Sequence, residues 1–114
     1  MDFKTKNNFQ ERQSESNKIM KKYPHRVPII VEKCIKSQIS DIDKCKYLVP
    51  KDLNMNQFVY IIRKRIKLDQ SQSIFLMVNN TICPSNIPIC NVYNDHKDED
   101  GFLYIKYTGE NTFG

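Results

Sequence analysis

The chain has 114 residues and a formal net charge of +5, with 39% apolar residues, three glycines and five prolines. This length supports one domain with a modest core, and the composition excludes a disordered or low-complexity chain. The sequence contains no apolar run near the roughly 20 residues that span a bilayer, and its N-terminus lacks the apolar stretch of a signal peptide. We therefore expect a cytoplasmic protein.

The cysteines and histidines predict neither a metal site nor a disulfide framework. The four cysteines are Cys34, Cys45, Cys83 and Cys90. They form no Cys-x-x-Cys pair, and only His25 and His96 could complete a zinc site. We interpret the cysteines as small apolar side chains buried in a protein of a reducing compartment. The expectation is a protein without a metal ion or another cofactor, with both histidines on its surface.

Residues 1–24 are polar and helical in character. They include few β-branched residues, and their apolar positions, among them Phe3 and Ile19, are sparse. The pattern predicts one or two short helices that end at Pro24.

Two strands follow this segment. Residues 26–34 ("RVPIIVEKC") predict the first, and Pro28 lies where its missing amide hydrogen is not needed for a ladder bond. Residues 46–50 ("KYLVP") predict the second, a short run that closes on Pro50. Because proline cannot donate a ladder hydrogen bond, Pro50 indicates an edge strand or a strand that finishes at its edge.

Residues 54–66 are the clearest helix of the sequence. Asn54 suits the N-cap and Gln57 lies three residues later, as in a capping box, while cations gather at the C-terminal end. The helix carries two apolar stripes, Met55 with Val59, Ile62 and Ile66, and Phe58 with Ile61. One stripe can pack against a sheet. We expect the second, Phe58 with Ile61, to lie at the flank, either in a groove or against another segment. A groove beside an edge strand is a place where a peptide could dock.

Three more elements complete the pattern. Residues 73–78 predict a buried strand with a turn at 79–81, and residues 91–97 a short helix. Residues 102–107 are apolar on both faces, as in a central strand.

This order of elements predicts an α+β fold of the ubiquitin-like β-grasp type, preceded by N-terminal helices. In it, a mixed four-stranded sheet holds one helix on one face. We divide the chain into an N-terminal helical extension (1–25), the β-grasp domain (26–107) and a flexible C-terminal tail (108–114).

Six stretches of the sequence resemble one protein family and follow its order along nearly the whole chain. They read "FQERQSES", "YPHRVPIIVEK", "DIDKCKYLVPKDL", "QFVYIIRKRI", "IFLMVNNTI" and "HKDEDGFLYIKYTGENTFG". The family is that of the autophagy ubiquitin-like modifiers, which includes GABARAP, the microtubule-associated light-chain proteins and autophagy-related protein eight.

The resemblance implies that Gly114 is the residue of conjugation. In the family, an activating enzyme adenylates this carboxylate, a conjugating enzyme carries it as a thioester, and it is joined to phosphatidylethanolamine on autophagic membranes. A processing and delipidating cysteine protease trims residues beyond the glycine. Without a Cβ, glycine presents an unhindered acyl carbon, and Phe113 would be recognised by these enzymes. The chain itself would be a modifier and not an enzyme, and it would move from the cytoplasm to autophagosomes on conjugation.

The resemblance also implies two pockets for cargo receptors that present an aromatic residue, two spacers and an aliphatic residue. Pocket one comprises Glu15, Ile19, Pro28, Ile30, Lys46, Leu48 and Phe102. Pocket two comprises Tyr47, Val49, Pro50, Leu53, Phe58 and Ile61. Between the pockets the peptide would add a strand along residues 46–50. Acidic residues that flank such motifs would meet Lys46, Arg26 and Arg65.

Other interpretations of the same residues stay open. Ile19, Ile30, Leu48 and Phe102 would serve any hydrophobic core, and basic clusters commonly mark a solvated face. A trafficking or cytoskeletal adaptor would use the groove without a lipid, whereas a charge-driven RNA or membrane-surface binder would need only the cations. Nucleic acid is not expected, because the sequence has no Gly-rich RNA-binding signature, zinc finger or basic tail. Neither alternative requires Gly114 to be accessible and terminal.

Overall fold

A computed structural model describes residues 2–109 of the chain. The N-terminal extension contains two helices, α1 (Phe3–Lys6) and α2 (Phe9–Lys22). The Asp2 side chain accepts a hydrogen bond from the Thr5 amide at the start of α1, and Asn8 forms a capping box with Glu11 at the start of α2. The prediction of short helices before Pro24 is confirmed.

One mixed sheet forms the centre of the domain. Its strands are β1 (Arg26–Lys33), β2 (Lys46–Pro50), β3 (Phe75–Val78), β4 (Thr81–Ile82) and β5 (Leu103–Thr108). Their order across the sheet is β2-β1-β5-β3-β4, with β1 and β5 parallel at the centre and the other neighbours antiparallel. The predicted β-grasp fold and the edge position of residues 46–50 are therefore confirmed.

The sheet has five strands in the described part of the chain, and the prediction of four was wrong. Asn79 and Asn80 have φ angles of 52° and 63°, as in the type I′ turn of a two-residue hairpin. This turn brings Thr81 opposite Val78, so that Thr81 belongs to β4 and not to the turn. With only two residues, β4 has no alternating pattern that a sequence could reveal.

Two helices occupy the connections after β2 and β4. They are α3 (Met55–Arg65) and α4 (Ile89–His96). At the start of α3, the Asn54 side chain accepts a hydrogen bond from the Gln57 amide (2.8 Å), and the Asn54 amide donates to Gln57 Oε1 (2.9 Å). The predicted capping box is confirmed. The helix α4 begins two residues earlier than expected, directly after Pro88.

Each face of the sheet packs a different hydrophobic cluster. The larger cluster lies between the sheet and α3, and it includes Val27, Ile29 and Ile105, which are almost fully buried. The smaller cluster joins the opposite face to the N-terminal helices through Phe3, Ile30 and Phe102. The helical extension is thus packed on the face that α3 does not cover.

The predicted core stripe of α3 is largely confirmed, since Met55, Ile62 and Ile66 are buried, but Phe58 of the second stripe is buried with them. Met55, Phe58 and Ile62 are at most 1% exposed, whereas Val59 and Ile61 are only partly buried. The expectation that Phe58 lies at the flank, away from the core, was wrong, because residues 55, 58 and 62 share the face that meets the sheet. Phe58 packs edge-on against Tyr47 at 5.9 Å between ring centroids.

A buried polar network fastens α2 to the loop before β5. Asp100 is fully buried and accepts hydrogen bonds from Arg12 Nε (2.8 Å), the Phe102 amide (2.8 Å) and the Tyr104 hydroxyl (2.5 Å). Burial and the bond to Asp100 raise the pKa of the Tyr104 hydroxyl. Ser16 donates a hydrogen bond to the Asp100 carbonyl. A buried charge that is paired and fully bonded in this way fixes the position of α2.

The cysteines are more exposed than the sequence suggested. Cys45 lies on the surface, and Cys34, Cys83 and Cys90 are partly buried. Within residues 2–109, no cluster of three or more His, Cys, Asp or Glu side chains could hold a metal ion. In the same range, no helix is long and apolar enough to cross a membrane.

Candidate functional site

The outer edge of β2 presents backbone groups that β1 does not use. The Val31 amide donates to the Cys45 carbonyl (2.7 Å), and Val31 therefore faces Cys45 in a hydrogen-bonded pair. Because such pairs alternate along antiparallel strands, Tyr47 and Val49 also direct their backbone groups toward β1. The amide and carbonyl groups of Lys46 and Leu48 point outward, where an extended peptide could pair with them.

The side chains of β2 alternate between the two faces of the sheet, and this alternation separates the two predicted pockets. Lys46 pairs with Glu15 of α2, on the side of the N-terminal helices. Tyr47 points the other way and packs against Phe58 of α3. A peptide paired with the edge of β2 would therefore contact pocket one on one face and pocket two on the other.

Pocket one lies between α2 and the sheet. Its residues Pro28, Ile30 and Phe102 are buried, while Ile19 and Leu48 are partly exposed. The structure brings these residues together, with Ile19 packed against the cluster that contains Ile30 and Phe102. The Glu15–Lys46 ion pair joins α2 to β2 beside them.

Phe3 belongs to the same cluster and was not predicted as part of it. Its ring packs edge-on against Phe102 at 5.3 Å between centroids, and its amide donates to Glu32 Oε2 (2.8 Å). Lys46 Nζ lies 5.6 Å from the centroid of the Phe3 ring. The only sequence signal for this contact is an isolated aromatic residue in a polar segment, and α1 thus forms a further wall of pocket one.

Pocket two consists of a buried floor and a partly exposed rim. Tyr47, Val49 and Phe58 are buried in the main core, whereas Leu53 and Ile61 are partly exposed. Pro50, the remaining residue of the set, is exposed at the end of β2. An aliphatic side chain of a peptide would therefore rest on the rim residues rather than displace the floor.

Burial has a clear effect on the Tyr47 hydroxyl. It raises the pKa of this group to about 12. The hydroxyl also has no hydrogen-bond partner within residues 2–109. The Tyr47 side chain is thus a neutral, space-filling part of the floor of pocket two.

All three predicted charge contacts already have intramolecular partners. Arg26 Nη1 donates to the outward Leu48 carbonyl (3.1 Å), and Lys46 pairs with Glu15. Arg65 bonds both carboxylate oxygens of Asp43, at 2.8 and 3.3 Å, and holds the pKa of Asp43 below its usual value. An acidic peptide would have to exchange these contacts for its own.

The described part of the chain ends one residue after β5. Thr108 pairs with Phe75, so β5 extends one residue beyond the predicted strand. The Gly109 amide then donates to Ser37 Oγ (3.2 Å). The predicted conjugation residue Gly114 and the predicted recognition residue Phe113 lie outside the described residues.

Comparison with known proteins identifies closely similar chains. The family model described as "Autophagy protein Atg8 ubiquitin like" matches residues 11–114. Autophagy-related protein 8e of Arabidopsis thaliana is 56% identical over 112 residues, which cover 98% of this chain and 92% of that protein. Autophagy-related protein 8B of Oryza sativa subsp. indica is 54% identical, with coverages of 98% and 94%. The crystal structure of Trypanosoma brucei ATG8 superposes with a TM-score of 0.93 at 45% identity, covering 100% of this chain and 98% of that one.

Proposed function

Since this chain belongs to the Atg8 family of ubiquitin-like autophagy proteins, we propose that it is a modifier that other enzymes attach to membranes. Its Gly114 carboxylate is joined to the amine of phosphatidylethanolamine on autophagic membranes, and its β2 edge then recruits cargo receptors. The family match through residue 114, which includes the terminal "TFG", carries the first part of this proposal.

The chemistry requires one adenylation and then three acyl transfers, none of which this chain catalyses. The Gly114 carboxylate attacks the α-phosphate of ATP at an activating enzyme, which releases pyrophosphate and leaves an acyl adenylate. An enzyme thiolate displaces AMP to form a thioester, which passes to the thiol of the conjugating enzyme. The lipid amine finally displaces that thiol and forms an amide. Glycine offers the least hindered carbonyl for each attack, and Phe113 is the side chain that these enzymes recognise.

A cysteine protease completes the cycle. It exposes Gly114 if residues follow it in the initial translation product, and it later hydrolyses the amide to release the protein from the lipid. In this proposal the protein is cytoplasmic before conjugation and is held on autophagosomes afterwards. Two acyl chains anchor it far more firmly than a single chain would, because each buried CH₂ contributes about 0.8 kcal/mol.

The β2 edge is the proposed docking site for receptor peptides with an aromatic-x-x-aliphatic motif. The outward groups of Lys46 and Leu48 supply backbone hydrogen bonds, and the alternation of β2 explains why the two anchors use different faces. The aromatic anchor enters pocket one beside Leu48 and Ile19, and the aliphatic anchor rests on Leu53 and Ile61. Acidic residues next to the motif compete with Glu15 for Lys46 and with Asp43 for Arg65.

Reconstitution tests both parts of the proposal. The protein is incubated with the activating and conjugating enzymes of the pathway, ATP and phosphatidylethanolamine vesicles, and the vesicles are floated with a fluorescent receptor peptide. We expect protein and peptide to float together, and neither to float when ATP is omitted. Protein that floats without the peptide would refute the proposed docking of receptor peptides at the β2 edge. Peptide that binds the domain in solution, while nothing floats, would refute conjugation and favour an adaptor that works without a lipid.

A further inference from the structure

The turn after β1 carries the most exposed large apolar side chain among residues 2–109. Ile35 is 95% exposed, compared with 58% for Tyr60, the next in rank. The Ser37 amide donates to the Cys34 carbonyl (3.0 Å), which places Ile35 and Lys36 at the two central positions of a turn. We name residues 34–37 the Ile35 turn. A turn normally carries polar residues at such positions.

The Ile35 turn is attached to the end of β5, where the C-terminal tail begins. The Cys34 amide donates to the Tyr107 carbonyl (2.8 Å), and Ser37 Oγ accepts a hydrogen bond from the Gly109 amide (3.2 Å). Five residues follow Gly109 in the sequence. At about 3.6 Å for each residue, a group joined to Gly114 stays within about 18 Å of Gly109. A membrane that holds Gly114 therefore lies close to the Ile35 turn.

The charges around the Ile35 turn favour an anionic surface. Lys33 and Lys36 flank Ile35 in the sequence. The acidic residues of the following loop are already paired, Asp41 with Lys33 (2.9 Å) and Asp43 with Arg65 (2.8 Å). Lys36 is exposed and has no ion-pair partner in the described part of the chain. An apolar tip beside an unpaired cation matches the boundary between acyl chains and anionic head groups.

We propose that the Ile35 turn is a second membrane contact, in which Ile35 enters the interface of an anionic bilayer and Lys36 binds its head groups. The inference rests on the proposed function, because a single isoleucine holds a membrane only when a tether keeps the domain beside it. Attachment at Gly114 supplies that tether and raises the effective concentration of the membrane at the turn. The contact fixes which face of the domain the membrane covers.

Tryptophan fluorescence tests this inference without the conjugating enzymes. The chain has no tryptophan, so Ile35→Trp introduces a single reporter at the turn. Ile82→Trp is the matched control, because Ile82 is 40% exposed on β4, at the opposite edge of the sheet from β2. Both proteins carry a C-terminal polyhistidine extension and are bound to phosphatidylserine vesicles through a nickel-chelating lipid. Emission is compared on vesicles with and without brominated acyl chains.

On vesicles, the emission of the Ile35→Trp variant should shift to shorter wavelength, and brominated acyl chains should quench it. Bromine should leave the emission of the Ile82→Trp variant unchanged. The quenching should weaken when phosphatidylcholine replaces phosphatidylserine or when Lys36→Glu is added. In the tethered protein without a tryptophan reporter, Ile35→Ser should lower the ratio of molecules in which the turn contacts the membrane to those in which it does not. We expect a decrease of roughly tenfold, because the apolar surface of Ile35 is lost. Equal quenching of the two reporters, or of neither, would overturn the inference.

Two further outcomes separate this inference from the proposed function. If the tethered Ile35→Trp variant is quenched but the enzymes fail to conjugate the protein, conjugation through Gly114 is refuted and the membrane contact of the turn is supported. Slower thioester formation by Ile35→Ser, with no quenching of the tethered Ile35→Trp variant, would identify the turn as an enzyme contact and overturn the membrane assignment.

Discussion

Replacing Gly101 with alanine tests how firmly the N-terminal helices must be held to keep pocket one in shape. Gly101 has a φ angle of +94°, and a Cβ there would overlap the Ser16 hydroxyl and lie 3.0 Å from Ser16 Cβ. The backbone conformation costs an alanine about 1–2 kcal/mol. Loss of the hydrogen bond from Ser16 to the Asp100 carbonyl costs about 1 kcal/mol more. We expect Gly101→Ala to lower the free energy of unfolding by about 2–3 kcal/mol.

Thermal unfolding measured by circular dichroism checks this value. At about 4 °C for each kcal/mol in a domain of this size, the midpoint should fall by roughly 8–12 °C. Gly109→Ala is the control, since a Cβ at Gly109 would make only ordinary contact with Ile39 at 3.4 Å. Its midpoint should stay within roughly 2 °C of the wild type, in line with a substitution that creates no overlap.

The same variant connects the network to the groove. Because α2 carries Glu15 and Ile19 of pocket one, a shift of α2 away from Gly101 should weaken binding of an aromatic-x-x-aliphatic peptide. The affinity for the peptide is measured by calorimetry at a temperature where the wild type and the Gly101→Ala variant are both folded. An unchanged midpoint for Gly101→Ala would refute the packing argument. A lower midpoint with unchanged affinity would show that pocket one does not depend on the position of α2.

Two further predictions concern the peptide groove. Alanine at both Tyr47 and Leu48 should remove a contact residue from each pocket and cost about 2 kcal/mol or more of binding free energy. NMR shifts in the wild type should centre on Lys46–Pro50, and unchanged affinity in a folded double mutant would refute the groove assignment. Raising salt should weaken the binding of an acidic-flanked peptide more than that of a neutral one, because added salt shortens the screening length of about 8 Å at physiological ionic strength. Equal salt responses would leave Arg26 and Arg65 without a role in binding.

Local signals in the sequence predicted the elements that local chemistry determines. The capping box of Asn54 and Gln57 defines the start of α3, and Pro50 ends β2 at the sheet edge. The rotation of α3 about its axis was not predictable in the same way. Helical spacing groups Phe58 equally well with either neighbouring stripe, and only contact with Tyr47 across the domain selects its buried orientation.

Contacts between distant parts of the chain were the hardest to predict. Phe3 reaches Phe102 across nearly the whole sequence, and no pattern near Phe3 indicates this partner. The same holds for Arg26, whose guanidinium donates a hydrogen bond to the outward Leu48 carbonyl, with which the proposed peptide would pair. The pocket residues implied by the family resemblance do lie together, but which of them form the floor and which the rim follows only from the packing.

Intact mass spectrometry after enzymatic conjugation tests the central proposal most directly. Wild-type protein and a variant that lacks Gly114 are incubated with the activating and conjugating enzymes, ATP and phosphatidylethanolamine vesicles. Deletion should leave the domain folded, because β5 ends at Thr108, six residues before Gly114. The wild type should gain the mass of one phosphatidylethanolamine less one water, and the deletion should gain nothing, because its terminal acyl carbon belongs to β-substituted Phe113. A lipid adduct on the deletion variant, or none on the wild type with enzymes that conjugate a known substrate, would contradict conjugation through Gly114.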